Sequence, residues 1–212
     1  MRTELDTTLD HLITAITAEG QPFATTAFAR NGVEMPAFAG APPTMAHFIA
    51  HFCNEHKDVE FIVDGDLRLT FGQVYSAAVC VAEGLVTKHG IQKGDRVGIA
   101  ARNSANWMIL ELAILMAGGC ATLVNGFWSG EELAYGIDLA ECKIVMADAG
   151  RAKRLEGHAH NAKVVLFDHG GDPSEGLAEV WAVPADPQTS VAMKMLGDLT
   201  PDDLATILYT SG

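Results

Sequence analysis

The stretch RVGIAARNSANWMILELAILMAGGCATLVN, residues 96–125, has two short apolar runs on either side of a longer apolar segment. Ser104 is placed to cap a helix, and the residues after it are apolar on nearly every side, which predicts a buried helix. The runs at residues 96–100 and 120–124 are continuous and apolar, as in strands that are covered on both faces. This order of strand, helix and strand predicts a right-handed crossover between two parallel strands.

The same alternation continues towards the C-terminus. Ser129 and Glu132 have the spacing of a capping box, which begins a helix that runs to about residue 139. We therefore predict an α/β fold with a mainly parallel, doubly wound sheet and helices on both faces. The stretch HGGDPSEG, residues 169–176, is typical of a loop. The other elements predicted in this part are strands at residues 143–146, 164–167 and 205–209, a short helix at 151–155 and a weak helix near Val180.

Residues 1–43 predict an N-terminal helix and arm. Residues 1–20 favour an amphipathic helix that Gly20 ends, and residues 21–43 are typical of a loop. The apolar face of the helix consists of Leu5, Leu9, Leu12, Ile13 and Ile16. We expect residues 44–212 to form the α/β part of the chain.

A second helix and a β-hairpin follow this arm. Thr44 caps the helix, and residues 61–63 are expected to pair with residues 67–69 around Asp64-Gly65. The apolar stripe predicted for the helix is Met45, Phe48, Ile49 and Phe52.

A third helix begins directly after the hairpin. Thr70 and Gln73 form a capping box, and His89-Gly90 closes the helix. The residues expected to point inward are Val74, Ala77, Ala78, Val81 and Leu85.

The composition narrows the class of protein. The chain has 212 residues, 49% of them hydrophobic, with a net charge of -13. Such an acidic surface repels nucleic acids and anionic membranes, so we expect neither as a partner. The most apolar run, residues 107–117, is about half as long as a membrane-spanning helix requires, so we expect no membrane span. The four cysteines form no CxxC pair and the N-terminus does not resemble a signal peptide, which together favour a cytoplasmic protein with free thiols.

Histidines at two places have spacings that can hold a metal. His47 and His51 are four residues apart on a predicted helix, with Glu55 one turn further, and His158 and His160 lie in a predicted loop. No third ligand with matching spacing accompanies either pair. We therefore predict no metal site and interpret the helical pair as part of a partly exposed face.

Two short segments follow predicted strands and therefore lie on the side of the sheet where ligands bind. In the first, Asn125, Phe127 and Trp128 can wall an apolar or adenine-like ligand, or can fasten their loop to the domain. In the second, Thr210, Ser211 and Gly212 offer short hydroxyls and an unhindered backbone N–H, which can closely approach phosphate oxygens.

Three segments resemble, in order, the first core motifs of the AMP-forming acyl-CoA synthetase, adenylation-domain and luciferase superfamily. They are LTFGQVYSAA at residues 69–78, LMAGGCATLVN at residues 115–125 and DDLATILYTSG at residues 202–212. The third resembles the beginning of the family's phosphate loop, YTSGTTGxPKG. The resemblance implies the first part of the family's large N-terminal domain, cut within that loop, and it covers nearly the whole chain from about residue 20.

The resemblance also implies a chemistry. The parent enzyme would use Mg²⁺ and ATP to activate a small carboxylic acid as its acyl-adenylate, and would then transfer the acyl group to coenzyme A. Thr210, Ser211 and Gly212 would bind the ATP phosphates, with Tyr209 setting the end of the strand. No catalytic residue of the family falls within this fragment, so we predict that the fragment alone is inactive.

Alternatives to this function stay open at the level of sequence. The stretch NGFWSGEELAYGI, residues 125–137, resembles the acyl-CoA ligase branch, which suggests fatty acid metabolism. A fragment of an amino-acid adenylation domain and a stand-alone α/β binding module are the alternatives. The sequence identifies neither the acid nor the thiol acceptor, which is either coenzyme A or a carrier protein. A cut through the parent domain would expose apolar surface, so we expect copies of the chain to associate through it.

Overall fold

The computed structural model describes residues 2–30 and 32–210. The chain divides into two compact units, Met1–Pro43 and Thr44–Gly212. The first contains helix α1, Glu4–Ile16, and strands β1, Thr25–Arg30, and β2, Val33–Phe38. Thr3 and Asp6 form a capping box at the start of α1. The predicted helix is confirmed, but it ends at Ile16 with Thr17 as its C-cap and not at Gly20. Within α1 no residue is buried, so its apolar face is exposed.

The prediction that residues 21–43 form a loop is wrong, because β1 and β2 form an antiparallel hairpin. Their register runs from Thr25 opposite Phe38 to Arg30 opposite Val33. Gly32 has a φ of 77°, a left-handed conformation that glycine adopts without the steric cost of a Cβ atom. The strands TTAFAR and VEMPAF lack strict alternation of apolar and polar residues, and this concealed the hairpin.

The second unit begins with α2, Met45–Glu55, the strands β3, Glu60–Asp64, and β4, Leu67–Thr70, and α3, Phe71–His89. The structure confirms the hairpin, the cap at Thr44, the capping box of α3 and the buried stripe of α3. The stripe predicted for α2 is only partly right. Its buried residues are Ala46, Ile49 and Cys53, whereas Met45 and Phe48 are exposed.

A five-stranded parallel sheet forms the centre of the second unit. The strand order is β8-β7-β5-β6-β9, so the predicted α/β fold is confirmed. Its elements in chain order are β5 Arg96–Ala100, α4 Ala105–Met116, β6 Cys120–Leu123, α5 Gly130–Leu139, β7 Ile144–Ala147, α6 Ala149–Leu155, β8 Lys163–Leu166, α7 Pro173–Gly176, α8 Val191–Asp198 and β9 Thr206–Leu208.

Two helical segments differ from the sequence predictions. Pro173–Gly176, inside the predicted loop, forms one helical turn because Asp172 caps it and proline suits a first turn. Val191–Asp198 was not predicted. Two 3₁₀ turns, Ala178–Val180 and Pro187–Thr189, lie in the same part of the chain, and the first replaces the weak helix predicted near Val180.

The side chains of β7 and β8 alternate between two apolar clusters, one on each face of the sheet. In β7, Ile144 and Met146 belong to the larger cluster, and Val145 and Ala147 belong to the smaller one. Residues of α2, α3, α4 and α8 complete the larger cluster, and residues of α5 and α6 complete the smaller one. The helices therefore cover both faces, as the sequence predicts.

One close approach fixes the segment that crosses α3. A Cβ atom at Gly84 would lie 1.9 Å from the carbonyl oxygen of Val180, which is far inside contact distance. The backbone N–H of Ala182 donates to the carbonyl oxygen of Cys80 at 3.0 Å. Glycine at position 84 therefore lets the 3₁₀ turn rest directly on the helix backbone.

Candidate functional site

The carboxyl ends of the five parallel strands lie at one edge of the sheet, and the predicted ligand-side segments follow two neighbouring strands there, β6 and β9. Thr210 comes two residues after the end of β9 and is exposed. Ser211 and Gly212, the other two residues predicted to bind phosphate, lie outside the described residues. The phosphate-binding role of all three stays a prediction.

Tyr209 anchors the end of β9 to helix α5. Its hydroxyl donates to the carbonyl oxygen of Gly136 at 2.6 Å. Burial, together with the nearby thiol of Cys142, raises the pKa of Tyr209 to about 12. The phenol is therefore neutral and already hydrogen-bonded, so its contribution to the site is to position the backbone that leads into Thr210.

The loop after β6 contains Asn125, Phe127 and Trp128, the other residues predicted to contact a ligand. Their side chains differ in how closely they pack on the domain. The ring of Trp128 meets that of Tyr209 edge-on, with centroids 4.9 Å apart. Phe127 is 93% exposed, and its backbone N–H donates to Oδ1 of Asn125 at 2.9 Å. Trp128 thus fastens the loop to the domain, whereas Phe127 projects from it. Ligand contact by Asn125, Phe127 or Trp128 stays a prediction.

The sequence did not lead us to predict the buried ion pair of Asp148 and Arg151, which lies beside this loop. Asp148 is 3% exposed, and its Oδ2 accepts from Nη1 of Arg151 at 3.0 Å. Its Oδ1 caps α6 by accepting from the backbone N–H of Arg151 at 2.9 Å. The sequence does contain a signal for this cap, because aspartate is strongly preferred at the N-cap position of helices. The sequence prediction began this helix at Arg151, two residues late, and so overlooked the cap.

The loop after β8 is held by a buried amide. Asn106 is fully buried on α4, and its Nδ2 donates to the carbonyl oxygens of Asp168 at 2.9 Å and Gly170 at 3.2 Å. A Cβ atom at Gly176 would lie 2.2 Å from this Nδ2, so the one-turn helix closes tightly over the amide. The loops after β6 and β8 are both held by long-range polar contacts to their backbones.

Two cavities lie beside the sheet. One, of about 400 Å³, lies between the carboxyl ends of β7 and β8, with Asp148, Arg151 and His169 in its wall. The other, of about 510 Å³, flanks β9 and extends from Arg96 and Glu141, near the amino ends of the strands, to Thr210. The second cavity adjoins the segment that resembles a phosphate loop.

The two helical histidines considered as metal ligands, His47 and His51, have ordinary partners. Nε2 of His51 lies 3.5 Å from Oε2 of Glu55, and Nδ1 of His47 lies 2.8 Å from Oγ1 of Thr44. In residues 2–30 and 32–210, no group of three or more histidine, cysteine or acidic side chains is arranged to hold a metal ion. All four cysteines are free, and burial raises the pKa of the Cys142 thiol.

The fold and the position of these segments agree with a family assignment from sequence. The sequence model of the AMP-binding enzyme family matches residues 49–212, which is well over half of the chain. The chain therefore belongs to the AMP-binding enzyme family, the group of adenylate-forming ligases that includes acyl-CoA ligases and the adenylation domains of peptide synthetases.

The relatives include both branches of this family. Acyl-CoA ligase SID4 of Ajellomyces capsulatus is 30% identical to the chain, over 63% of the chain and 22% of that protein. A linear gramicidin synthase of Brevibacillus parabrevis is 28% identical, over 80% of the chain and 2% of that protein. The chain thus spans less than a quarter of the length of either relative.

A solved structure shows the same fold. The N-terminal subdomain of NpsA from Klebsiella oxytoca, in complex with 3-hydroxybenzoyl-AMSN, superposes with a TM-score of 0.65 at 18% identity. The match covers 83% of this chain and 40% of that one. At this identity the likeness establishes the architecture and carries no assignment of substrate. In the described part of the chain, no helix has both the length and the apolar character that crossing a membrane requires.

Proposed function

We propose that this chain provides the first part of the ATP-binding domain of a ligase that activates a carboxylic acid as its acyl-adenylate. The observation that carries the proposal is the exposed Thr210 at the carboxyl edge of the sheet, directly after the anchored Tyr209. A short hydroxyl side chain can closely approach a phosphate oxygen. Because Tyr209 already holds the end of the strand, binding costs little entropy for ordering Thr210.

The proposed reaction has two steps. A carboxylate oxygen of the acid forms a bond to the α-phosphorus of ATP, and pyrophosphate leaves. The thiol of coenzyme A then loses its proton, its sulfur bonds to the acyl carbon, and the bond from that carbon to the phosphate oxygen breaks so that AMP leaves. Mg²⁺ would neutralise charge on the phosphates during the first step. A role in fatty acid metabolism and a cytoplasmic location belong to the same proposal.

The chain alone is proposed to be inactive. The resemblance to the family places none of the catalytic residues within this chain. The association of copies through exposed apolar side chains stays a prediction.

Activation of an amino acid for a peptide synthetase is the second candidate. It is favoured by the match to the linear gramicidin synthase, which extends over 80% of the chain. Both candidates share the adenylation step, and they differ in the acid and in whether the thiol belongs to coenzyme A or to a carrier protein.

Exchange of labelled pyrophosphate into ATP tests the shared step. The full-length protein is assayed with aliphatic, aromatic and amino acids, and we expect exchange that depends on one of these classes. Formation of a coenzyme A thioester, followed by mass spectrometry, then separates the two candidates. An absence of exchange with all three classes would overturn the proposed function.

A second threonine, at the start of β9, makes the test specific to the site. Thr210→Val removes the hydroxyl at the proposed phosphate contact, and we expect an increase of about tenfold in the KM for ATP. Thr206→Val makes the same chemical change at the exposed start of β9 and should leave the KM unchanged. Equal effects of the two substitutions would argue against a phosphate contact at Thr210.

A further inference from the structure

The loop after β6 is held through its backbone by two arginines of α6. Nε of Arg151 donates to the carbonyl oxygen of Gly126 at 3.0 Å. Nη1 of Arg154 donates to the same oxygen and to the carbonyl oxygen of Trp128, each at 3.0 Å. Because the acceptors are main-chain atoms, these contacts fix the path of the loop whatever its side chains are.

Arg151 is itself fixed by Asp148. Besides its two hydrogen bonds to Arg151, the carboxylate accepts from the backbone N–H of Arg102 at 3.2 Å, just beyond β5. The side chains of this pair are only 12% and 5% exposed. A buried ion pair adds little net stability after its desolvation cost, so its value here is the definition of one arrangement. Asp148 therefore ties the ends of β5 and β7 to α6.

The two arginines can reach the loop because glycines permit a close approach. A Cβ atom at Gly126 would lie 3.1 Å from the carbonyl oxygen of Ala101 and 3.2 Å from Nη2 of Arg151. A Cβ atom at Gly130 would lie 2.1 Å from the carbonyl oxygen of Arg154. The start of α5 is thus pressed directly against the backbone of α6.

From the loop, contacts continue to the end of β9. Trp128 packs on Tyr209, and a Cβ atom at Gly136 would lie 2.5 Å from the Trp128 ring, so the indole lies directly against the helix at Gly136. The same Gly136 offers its carbonyl oxygen to the Tyr209 hydroxyl. Trp128 and Tyr209 therefore share one anchoring point on α5, and Thr210 follows directly.

We propose that Arg151 and Arg154 are positioning residues of this site. They hold the 125–128 loop so that Trp128 supports Tyr209, and by this route they set the position of Thr210. The coupling from Arg154 to Trp128 is independent of the chemistry that the protein performs. Its consequence for nucleotide binding rests on the proposed function.

Fluorine NMR of the chain labelled with 5-fluorotryptophan tests the coupling. The chain has three tryptophans, and Trp128→Phe identifies the Trp128 resonance by its loss. Arg154→Gln removes the charge and the two-carbonyl contact while leaving the Asp148–Arg151 pair intact. We expect it to shift or broaden the Trp128 resonance alone, and to speed chymotryptic cleavage after Phe127 by about tenfold.

Two further variants keep the test specific. Lys153→Gln makes a similar change on the neighbouring, exposed residue of α6 and should leave the Trp128 resonance and the cleavage rate unchanged. Arg154→Lys keeps the charge and hydrogen-bond donors but lacks the planar guanidinium, so it should restore part of the wild-type behaviour. An unchanged Trp128 resonance in a folded Arg154→Gln chain, or equal effects of Lys153→Gln, would overturn the proposal.

Kinetics of the full-length enzyme test the consequence at Thr210. We expect Arg154→Gln to raise the KM for ATP about tenfold with a smaller change in kcat, because the residue acts through Thr210 and not on the reacting atoms. An active enzyme whose KM does not change, although the Trp128 resonance moves, would overturn the link from the loop to Thr210. A wild-type enzyme without pyrophosphate exchange would instead refute the proposed function and leave the coupling standing.

Discussion

The two faces of the central sheet are built in different ways. On one face, α4 packs against α2, α3 and α8 and forms a large apolar core with them. On the other, α5 and α6 cover a smaller core, and polar contacts at Asp148 and Tyr209 fix its rim. The first face supplies most of the apolar burial that stabilises the fold. The second holds the loop after β6 and the end of β9 in place, and it does so with hydrogen bonds and one ion pair.

The largest effects on stability are expected for substitutions in the two apolar cores, which can be compared with one another. Leu110 on α4 and Leu133 on α5 are both fully buried. We expect Leu110→Ala to lower the free energy of unfolding by about 4 kcal/mol and Leu133→Ala by about 3 kcal/mol, because α4 is surrounded by α2, α3 and α8, which leave little room to close a hole at Leu110. Urea unfolding of the two variants measures the difference. A greater loss at Leu133 would contradict this account of the two faces.

A smaller effect is expected at the polar rim of the second face. Tyr209→Phe removes the hydroxyl that donates to Gly136, and we expect a loss of about 1 kcal/mol near neutral pH. The pKa of Tyr209 is raised from its ordinary value near 10 to about 12, so the neutral phenol is favoured in the folded state. The contribution of the neutral Tyr209 hydroxyl to the free energy of unfolding is complete below pH 10 and is lost as the pH rises through 12.

The pH dependence therefore distinguishes wild type from variant. The difference in unfolding free energy between wild type and Tyr209→Phe should shrink between pH 10 and 12, as followed by denaturant titrations at a series of pH values. Tyr135→Phe is the matched control, because Tyr135 lies exposed on the same helix, α5, that receives the Tyr209 hydroxyl. A constant difference over this range would show that the Tyr209 hydroxyl is not held in its neutral form.

The smallest effect is expected at the tip of the 125–128 loop. Phe127 is almost fully exposed, so Phe127→Ala should change the free energy of unfolding by less than about 0.5 kcal/mol. Thermal unfolding of this variant beside wild type provides the measurement. A loss above about 1 kcal/mol would mean that Phe127 packs on the domain as Trp128 does, and the division of the loop into a fastened and a free aromatic would be wrong.

Features determined by neighbouring residues could be predicted from the sequence. In each capping box, of α3 and of α5, the two residues lie three positions apart in the chain, and the buried strands are recognisable as apolar runs. Helix α8 has a local cap, because Oγ of Ser190 accepts from the backbone N–H of Met193, but its start also depends on a distant partner. The backbone N–H of Val191 donates to Oε2 of Glu83 on α3, and no local pattern reveals this contact.

The candidate site was predictable only in outline for the same reason. Its position at the carboxyl edge followed from the parallel sheet, and the resemblance to the family identified Thr210. The support came from pairs that lie far apart in the chain, such as Tyr209 with Gly136 and Arg154 with Trp128. Short-range periodicity contains no information about such pairs, so Arg151 and Arg154 escaped notice.

The strand order has a consequence for how the chain folds. Strands β5, β6, β7 and β8 each pair with a strand nearby in sequence, whereas β9 pairs with β6 across all the intervening elements, as Leu208 opposite Leu123 shows. Closing so long a segment costs entropy before any pairing compensates for it, and non-local pairing is slow. We expect β9 to dock last, onto a finished four-stranded sheet. Thr210 would then reach its place only in the final stage of folding.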